Sequence, residues 1–201
     1  MERLDVRHAK SLWENIQHDD HLWTYMPSEA PTSEEACVAY VEKFSKIEDP
    51  CFYAIVLRES PNEDEAVVGH IALMNMVPSN RVNELGHVLL SKKIQRTTAA
   101  TEAFYLIIKA SFEQLNSRRC EWKTNTFNAA SRKAALRLGF TYEGIFRNHM
   151  IVKGRNRDTI WFSIIESEWE EKKRILEAWL DPSNFDEQKK QRRSLVDIAA
   201  A

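Results

Sequence analysis

A strand that runs almost directly into a helix is the feature that most constrains the fold of this chain. The apolar segment ELGHVLL (residues 84–90) is typical of a buried strand, and QRTTAATE (residues 95–102) is typical of a helix start. Such a junction leaves about four N–H groups without partners in the helix, beside the positive end of the helix dipole. Gln95 and Arg96 add an amide and a cation, so the junction is a candidate phosphate site.

The same residues also fit an ordinary helix N-terminus. Thr97 or Thr98 would then cap the helix through its hydroxyl oxygen. In favour of a ligand, residues 97–100 are all small enough to let one approach the backbone. The segment by itself leaves both alternatives open.

The size and charge of the chain narrow the class of protein. A length of 201 residues with 43% hydrophobic and 29% charged side chains predicts one folded domain over residues 1–201. A formal net charge of -2 gives no reason to expect nucleic acid as the main partner. The three cysteines are odd in number and widely scattered, so neither a disulfide framework nor a zinc cluster is implied, and we expect no metal.

The apolar segments are too short to predict a membrane protein. No stretch approaches the roughly 20 apolar residues that a membrane helix requires. The first residues, MERLD, contain no apolar core of a signal peptide. We therefore expect a cytoplasmic protein without a membrane partner.

Apolar periodicity and turn signals predict the order of the elements. Two helices come first, then three strands, a helix, a strand, a helix and a hairpin of two strands. Residues 166–201 are predicted to form a C-terminal helix and a charged tail, with the basic run 189–193 helical and 199–201 unstructured. The expected turns cover 60–64, 78–80 and 153–156, and the helices begin near Asp5, Ser33, Gln95, Asn128 and Trp169.

Motifs beyond the junction make the pattern more specific. The order strand, Q/R-x-x-small-x-small, helix resembles the acyl-CoA pyrophosphate loop of the GNAT N-acyltransferase superfamily, with Thr98 and Ala100 in place of its two usual glycines. Later motifs are similar to the branch that contains the ribosomal-protein N-terminal acetyltransferases and related small-molecule acetyltransferases. These motifs are Thr101-Glu102-Ala103, Arg119-x-x-Trp122-Lys123, Asn128-x-x-Ser131, Arg137-Leu138-Gly139-Phe140 and Glu143-Gly144.

The resemblance implies a fold and a cofactor. The fold would be α/β (α+β), with helices on both faces of a mixed central sheet that is splayed in the middle. Few residues precede the first helix, so the usual first strand is expected to be short or missing. The activity implied is that of an acyl-CoA-dependent N-acyltransferase with acetyl-CoA as co-substrate. The cofactor-binding residues implied are Val88, Leu89, Leu90, Gln95, Arg96, Thr97, Thr98, Ala99, Ala100, Thr101 and Asn128.

The resemblance also implies roles in the chemistry. Ser131 would protonate or hydrogen-bond the departing thiolate, because the tyrosine that many members carry later in this helix corresponds here to Ala135. The alternative is a solvent-facing serine. Glu84 is the first candidate for the base, acting through water, and Asn128 could bond the cofactor and cap its helix at once.

Aromatic and charged residues are candidates for the acceptor site. They lie after the first helix, in the first turn of the central helix and on the final hairpin, and core packing or ion pairing is the alternative for each. The candidates are Trp23, Tyr25, Met26, Glu102, Arg147, His149, Arg155, Arg157 and Asp158.

The partner implied is a small-molecule amine or a protein N-terminus, and a homodimer is compatible with the sequence. Two other functions stay open. One is transfer of a longer acyl chain or transfer to oxygen. The other is a GNAT-like domain that binds CoA without catalysis, which the missing glycines and tyrosine favour.

Overall fold

The computed structural model of the chain describes residues 1–58 and 65–200. The turn predicted over 60–64 and residue 201 lie outside these ranges. The chain divides into two compact units, Met1–Met76 with Asn83–Ala103 and Val77–Val82 with Phe104–Ala201. Each unit is described by itself.

The described residues contain seven strands and six α-helices, and the α/β class predicted from the sequence is confirmed. The strands are β1 (Glu2–Arg3), β2 (Cys51–Leu57), β3 (Ala66–Val77), β4 (Val82–Leu90), β5 (Arg119–Asn125), β6 (Thr141–Val152) and β7 (Arg155–Ile165). The helices are α1 (Ala9–Ile16), α2 (Glu34–Ser45), α3 (Thr98–Lys109), α4 (Ala129–Arg137), α5 (Glu166–Leu180) and α6 (Leu195–Ala199). None of the described helices is both long and apolar enough to cross a membrane.

In the first unit, strands β1 to β4 lie side by side in chain order. β2 and β3 form the antiparallel hairpin that the sequence predicts. β1 pairs with β2 through Glu2 opposite Ala54 and Arg3 opposite Tyr53, so the first strand is present and is only two residues long. The expectation of a short first strand is confirmed.

Helices α1 and α2 pack over this part of the sheet because their apolar positions recur at helical spacing. Ser33 caps α2 by accepting the Ala36 N–H at 3.2 Å, as its position before two glutamates predicts. Apolar side chains from both helices and from β2, β3 and β4 form one buried cluster. Its members include Leu12, Ile16, Trp23, Cys37, Val41, Phe44, Phe52, Val67 and Leu89.

In the second unit the strand order is β5-β7-β6, with both pairs antiparallel and β6 at the edge. The β6–β7 turn consists of Lys153 and Gly154, whose φ angles are 50° and 70°. Two positive φ values match the right-handed twist of a hairpin, so two residues suffice. The predicted turn over 153–156 was therefore too long, because Arg155 and Asn156 belong to β7.

Helix α4 begins and ends where the sequence predicts. The Asn128 side chain accepts the Ser131 N–H at 3.0 Å. At the other end Gly139 takes a φ of 93°, and the Phe140 N–H donates back to the Ala135 carbonyl at 3.0 Å. This is the left-handed stop that a glycine after the last turn permits.

The C-terminal tail departs from the prediction. Residues 189–193 are not helical, because the Asp186 carboxylate accepts the N–H groups of Gln188 and Lys190 and closes a turn instead. Phe185 then forms an isolated bridge with Gln191. Ala199, predicted to be unstructured, is the last residue of α6, which Ser194 caps.

Candidate active site

Strand β4 contains a residue in the left-handed conformation, His87, within the first unit. His87 has a φ of 46°, a left-handed conformation that is uncommon for a residue other than glycine. Its carbonyl oxygen lies 2.9 Å from Nδ1 of His70, which projects from the neighbouring strand β3. The backbone at His87 is therefore held by a side chain of β3.

His70 is fully buried, and its other ring nitrogen lies 3.0 Å from the Tyr40 hydroxyl. Because a carbonyl only accepts, Nδ1 carries the proton and Nε2 accepts from Tyr40. Burial, together with the nearby His87, lowers the pKa of His70 to about 3, so the ring is neutral at physiological pH. Burial also raises the pKa of Tyr40, which keeps its hydroxyl proton.

Glu84, the predicted base, also lies on β4 and is buried. Its carboxylate accepts from the Asn75 side-chain amide at 2.7 Å. Asn75 has a φ of 49°, and Asp49 fixes that conformation by accepting the N–H groups of Asn75 at 2.8 Å and Met76 at 2.9 Å. Glu84 is therefore held in one orientation, as a group that takes a proton from a bound water must be.

The segment between β4 and α3 is largely organised by its own hydrogen bonds. The Gln95 side chain donates to the Leu90 carbonyl at 2.8 Å, so its amide nitrogen is used within the loop. Thr97 caps α3, because its hydroxyl oxygen accepts the Ala100 N–H at 3.2 Å. Of the two capping residues proposed from the sequence, Thr97 is the one observed.

Capping by Thr97 leaves other N–H groups of this segment available. Among the residues that the structure describes, none accepts a hydrogen bond from the N–H of Arg96, Thr98 or Ala99. Arg96 has a φ of 62° and an exposed side chain. The arrangement offers three backbone donors and one cation to an anion.

The remaining predicted residues of this segment differ in exposure. Thr101 is buried and its N–H points to the Thr97 carbonyl at 3.5 Å, so it belongs to the first closed turn of α3. Glu102 is exposed in the same turn. On β4, Leu89 is buried while Val88 and Leu90 are half-buried.

In the second unit, Asn128 and Ser131 lie one turn apart at the start of α4. Asn128 uses its side-chain oxygen for the cap, and no described residue accepts from its Nδ2. Both roles proposed for Asn128 are therefore compatible, since the donor end of its amide is available for a ligand.

Ser131 is half-buried and bonded to a buried indole. Its hydroxyl oxygen accepts from Nε1 of Trp122 at 2.9 Å, and Trp122 packs between Phe104 and Phe140 at ring distances of 5.4 and 5.5 Å. The indole can only donate, so it uses an acceptor position of Ser131 and leaves the serine O–H as a donor. A donor is what a departing thiolate requires. Ala135 on the same helix is fully buried.

Two residues of the resemblance motifs have structural roles. Arg119 donates to Glu121 at 2.8 Å and forms an ion pair with Glu143. The bond from Arg119 lowers the pKa of Glu143, which also accepts from Ser163 at 2.7 Å. These residues tie β5, β6 and β7 together.

The final hairpin contains a β-bulge. Phe146 pairs with Thr159 and Met150 with Arg157, so three residues of β6, 147–149, lie opposite Asp158 alone. Asp158 accepts the Asn148 N–H at 2.7 Å and the Asn156 amide at 3.0 Å. These bonds lower the pKa of Asp158, and they make it a residue that shapes the bulge.

The bulge brings His149 to the face of β7. Its Nδ1 lies 3.0 Å from the Thr159 hydroxyl, which also accepts from Arg157 at 3.1 Å. The ring packs edge-on against Trp161 at 6.0 Å. His149, Arg157, Thr159 and Trp161 therefore form one cluster, whereas Arg147 and Arg155 are exposed on the hairpin.

Of the three acceptor-site candidates after α1, two lie in the core and one lies at the surface. Trp23 is only 3% exposed and packs edge-on against Tyr40 at 5.3 Å, and Met26 is also buried, so both belong to the core of the first unit. Tyr25 is exposed. Core packing, the alternative considered for Trp23, is what the structure has.

Sequence reasoning missed Tyr40 and His70, and it named Trp122 within a family motif without its contact to Ser131. One signal could have identified His70, because it is the polar residue within the otherwise apolar run of residues 67–73. A polar side chain in a strand buried on both faces needs a hydrogen-bond partner. No comparable local signal marks Tyr40.

Comparison with known proteins identifies the family. The acetyltransferase (GNAT) domain family matches residues 1–141. A GCN5-related N-acetyltransferase from Brucella melitensis, of known structure, is 38% identical with a TM-score of 0.93, covering 100% of this chain and 90% of its own. The chain belongs to the GNAT acetyltransferase family, as the sequence motifs predicted.

Two Bacillus subtilis (strain 168) proteins are also similar. YdaF, provisionally named a ribosomal N-acetyltransferase, is 31% identical over 110 residues, which are 55% of this chain and 60% of YdaF. YnaD, an uncharacterised N-acetyltransferase, is 26% identical over 152 residues, 75% of this chain and 84% of YnaD. The match to YdaF thus spans less than two thirds of that relative.

Proposed function

We propose that this protein is an N-acetyltransferase that moves an acetyl group from acetyl-CoA to a primary amine. The observation that carries the proposal is the first unit's β4–α3 segment, in which a strand with a left-handed residue is followed by three N–H groups that the described residues leave unbonded. The GNAT family generally uses acetyl-CoA, which supports this choice of donor.

The cofactor would bind along this segment. We assign its pyrophosphate to the N–H groups of Arg96, Thr98 and Ala99 and to the Arg96 side chain. The amide-bearing pantetheine arm would run along Val88 to Leu90 as an added strand. Asn128 would donate to the arm through Nδ2. Thr97 and Gln95 would shape the loop, because their polar groups already bond within it.

The chemistry proposed is direct transfer. The amine nitrogen attacks the thioester carbonyl carbon, a C–N bond forms and the C–S bond breaks. The excess amine proton passes through water to Glu84, and the thiolate takes a proton from the Ser131 hydroxyl, which is restored from solvent. Because a thiolate with a pKa of about 8.5 leaves easily near neutral pH, a weakly acidic serine is sufficient.

The acceptor is proposed to be a primary amine of a small molecule or of a protein N-terminus. The His149 cluster on the final hairpin, with Arg157 and the exposed Arg147, is suited to a group that carries a carboxylate or carbonyl beside the amine. Tyr25 and Glu102 are exposed and stay as acceptor candidates. A cytoplasmic location, a homodimer and a single domain over 1–201 remain predictions.

The experiment that tests this function is thiol release from acetyl-CoA with a panel of acceptors. The panel contains amino acids, polyamines, aminoglycosides and short peptides with free N-termini. Turnover with at least one amine supports the proposal, and the product's mass shows whether nitrogen or oxygen is acetylated. Binding of acetyl-CoA without turnover of any acceptor would favour a CoA-binding domain.

Ser131→Ala is the variant that tests the transfer chemistry. We expect kcat to fall by about tenfold to a hundredfold while the dissociation constant of acetyl-CoA stays nearly unchanged. Ser183→Ala, on the surface of the C-terminal segment, is the matched control. Unchanged turnover of Ser131→Ala would remove this serine from the mechanism.

A further inference from the structure

The hydrogen bond between His70 and the His87 carbonyl fixes the orientation of a whole peptide unit. A peptide unit is planar and trans, so its C=O and N–H groups point in opposite directions. When the His87 carbonyl is directed at the buried His70 ring, the N–H of the same peptide, which belongs to Val88, is directed away from that ring. The imidazole thus sets the direction of one β4 amide.

The proton positions make this orientation unambiguous. Tyr40 donates to Nε2 and the His87 carbonyl accepts from Nδ1, so one tautomer of the neutral ring satisfies both contacts. The other tautomer would place the protonated nitrogen against the Tyr40 hydroxyl and leave the buried carbonyl without a donor. The hydrogen bonds between Tyr40 and His70 and between His70 and His87 therefore hold the His87 carbonyl in one direction.

The left-handed backbone at His87 needs such a restraint. A left-handed backbone is unfavourable at a residue with a side chain and persists where the surroundings impose it. The residue before His70 allows β3 and β4 to approach closely, because a Cβ atom at Gly69 would lie 2.1 Å from the Leu89 carbonyl oxygen. Two consecutive residues of β3 thus lie against β4 on either side of Val88.

We propose that His70 is a positioning residue, which orients the His87–Val88 peptide so that the Val88 N–H polarises the carbonyl of the acetyl thioester. The inference rests on the proposed function, since it assigns a role to a residue of the acetyl-CoA strand. His70 does not touch the reacting atoms. It acts through the backbone, and the donor it aims is one that gains strength as negative charge develops on the thioester oxygen.

Two isosteric variants separate this role from packing. The amide nitrogen of Asn lies near the position of Nδ1, and that of Gln lies near the position of Nε2. His70→Asn therefore keeps a donor for the His87 carbonyl, whereas His70→Gln does not. We expect His70→Gln to lower kcat by about tenfold or more, and His70→Asn to stay within about threefold of the parent.

Infrared difference spectra with carbonyl-labelled acetyl-CoA provide a readout that needs no turnover. In the parent and in His70→Asn the thioester C=O stretch should shift to lower frequency on binding, and in His70→Gln it should return toward its value in solution. The dissociation constant of acetyl-CoA should change by less than about threefold in both variants, because most of the contacts are elsewhere.

The outcomes distinguish the two levels of the proposal. If Asn and Gln variants have the same kcat and the same carbonyl frequency, His70 has no positioning role, although the acetyltransferase remains. If acetyl-CoA does not bind the parent protein, the proposed function itself fails, and the inference with it. Should one variant fail to fold, the other still tests the proposal, because a retained carbonyl shift in His70→Gln or a lost shift in His70→Asn would overturn it.

Discussion

Two strands, β4 and β6, each hold a left-handed residue, and they do so by opposite means. On β4 the carbonyl of His87 (φ 46°) is bonded to a fully buried neutral imidazole. On β6 the N–H of Asn148 (φ 49°) is bonded to the ionised carboxylate of Asp158, on a strand whose side chains are mostly exposed.

The two environments give the two strands different rigidity. A hydrogen bond in a buried site has no competition from water, so the β4 peptide is held in one orientation. The β6 bulge depends on a solvated carboxylate, which water and salt weaken. We expect β4 to present a fixed geometry to an invariant cofactor, and the hairpin to adapt to an acceptor.

The largest effect on stability is expected from adding a side chain at Gly69, where β3 lies directly against β4. In Gly69→Ala the added Cβ lies 2.1 Å from the Leu89 carbonyl oxygen, so the strands must separate. We expect the free energy of unfolding in urea to fall by about 3 kcal/mol.

Gly144→Ala on β6 is the matched control for this comparison. Nothing lies within 4 Å of its added Cβ, and only the φ of 156° opposes the substitution. The expected loss is about 1 kcal/mol. Equal losses at the two glycines would contradict the view that β4 is the tightly fixed strand.

The second expected effect is a dependence of the free energy of unfolding on pH. The pKa of His70 is about 3 in the folded protein, below the ordinary value of 6.5, because burial disfavours the charged ring. The unfolded chain therefore binds the proton first as pH falls. The free energy of unfolding should decrease by about 1.4 kcal/mol per pH unit from about pH 6 downward, levelling off near the folded pKa.

His70→Asn should remove this component from the pH dependence. The measurement is urea unfolding of the parent and the variant at several values between pH 4.5 and 7.5, with the difference between the two plotted against pH. A difference that does not change with pH would mean that the ring can be protonated without loss of structure.

The smallest effect on stability is expected from substitution of Asp158, at the exposed bulge of β6. The pKa of Asp158 is lowered by the Asn148 N–H and then by Asn156, so its stabilising contribution is complete above the unfolded value and is lost as pH falls through the lower folded value. Asp158→Asn should leave the thermal midpoint nearly unchanged at pH 7 and speed amide exchange at Asn148. A large loss of stability would mean that Asp158 holds the exposed β6 bulge as firmly as the buried His70 holds His87 on β4.

The fold was predictable wherever the signal is local. Ser33 and Asn128 cap the helices that they precede, and Gly139 ends α4, because each uses hydrogen bonds within a few residues. Local signals also misled at the hairpin. Arg155 and Asn156 resemble turn residues, but Lys153 and Gly154 complete the turn without them.

The candidate site was predictable only in part. The strand–loop–helix order located residues 84–102, but the residues that hold its geometry come from far along the chain. Tyr40 lies 30 positions before His70, which lies 17 before His87. Trp122 reaches Ser131 across nine positions and a change of element. Side-chain contacts of this kind depend on tertiary packing, which also placed Trp23 in the core.

The unbonded N–H groups at the start of α3 are proposed to bind acetyl-CoA. Thr98 is the first residue of α3, where proline is well tolerated, so Thr98→Pro deletes one of these N–H groups with little cost to the helix. Calorimetric titration with acetyl-CoA should show a dissociation constant about tenfold higher for Thr98→Pro and within about threefold of the parent for Thr98→Ala, which keeps the N–H. Equal affinities in the two variants would contradict the account.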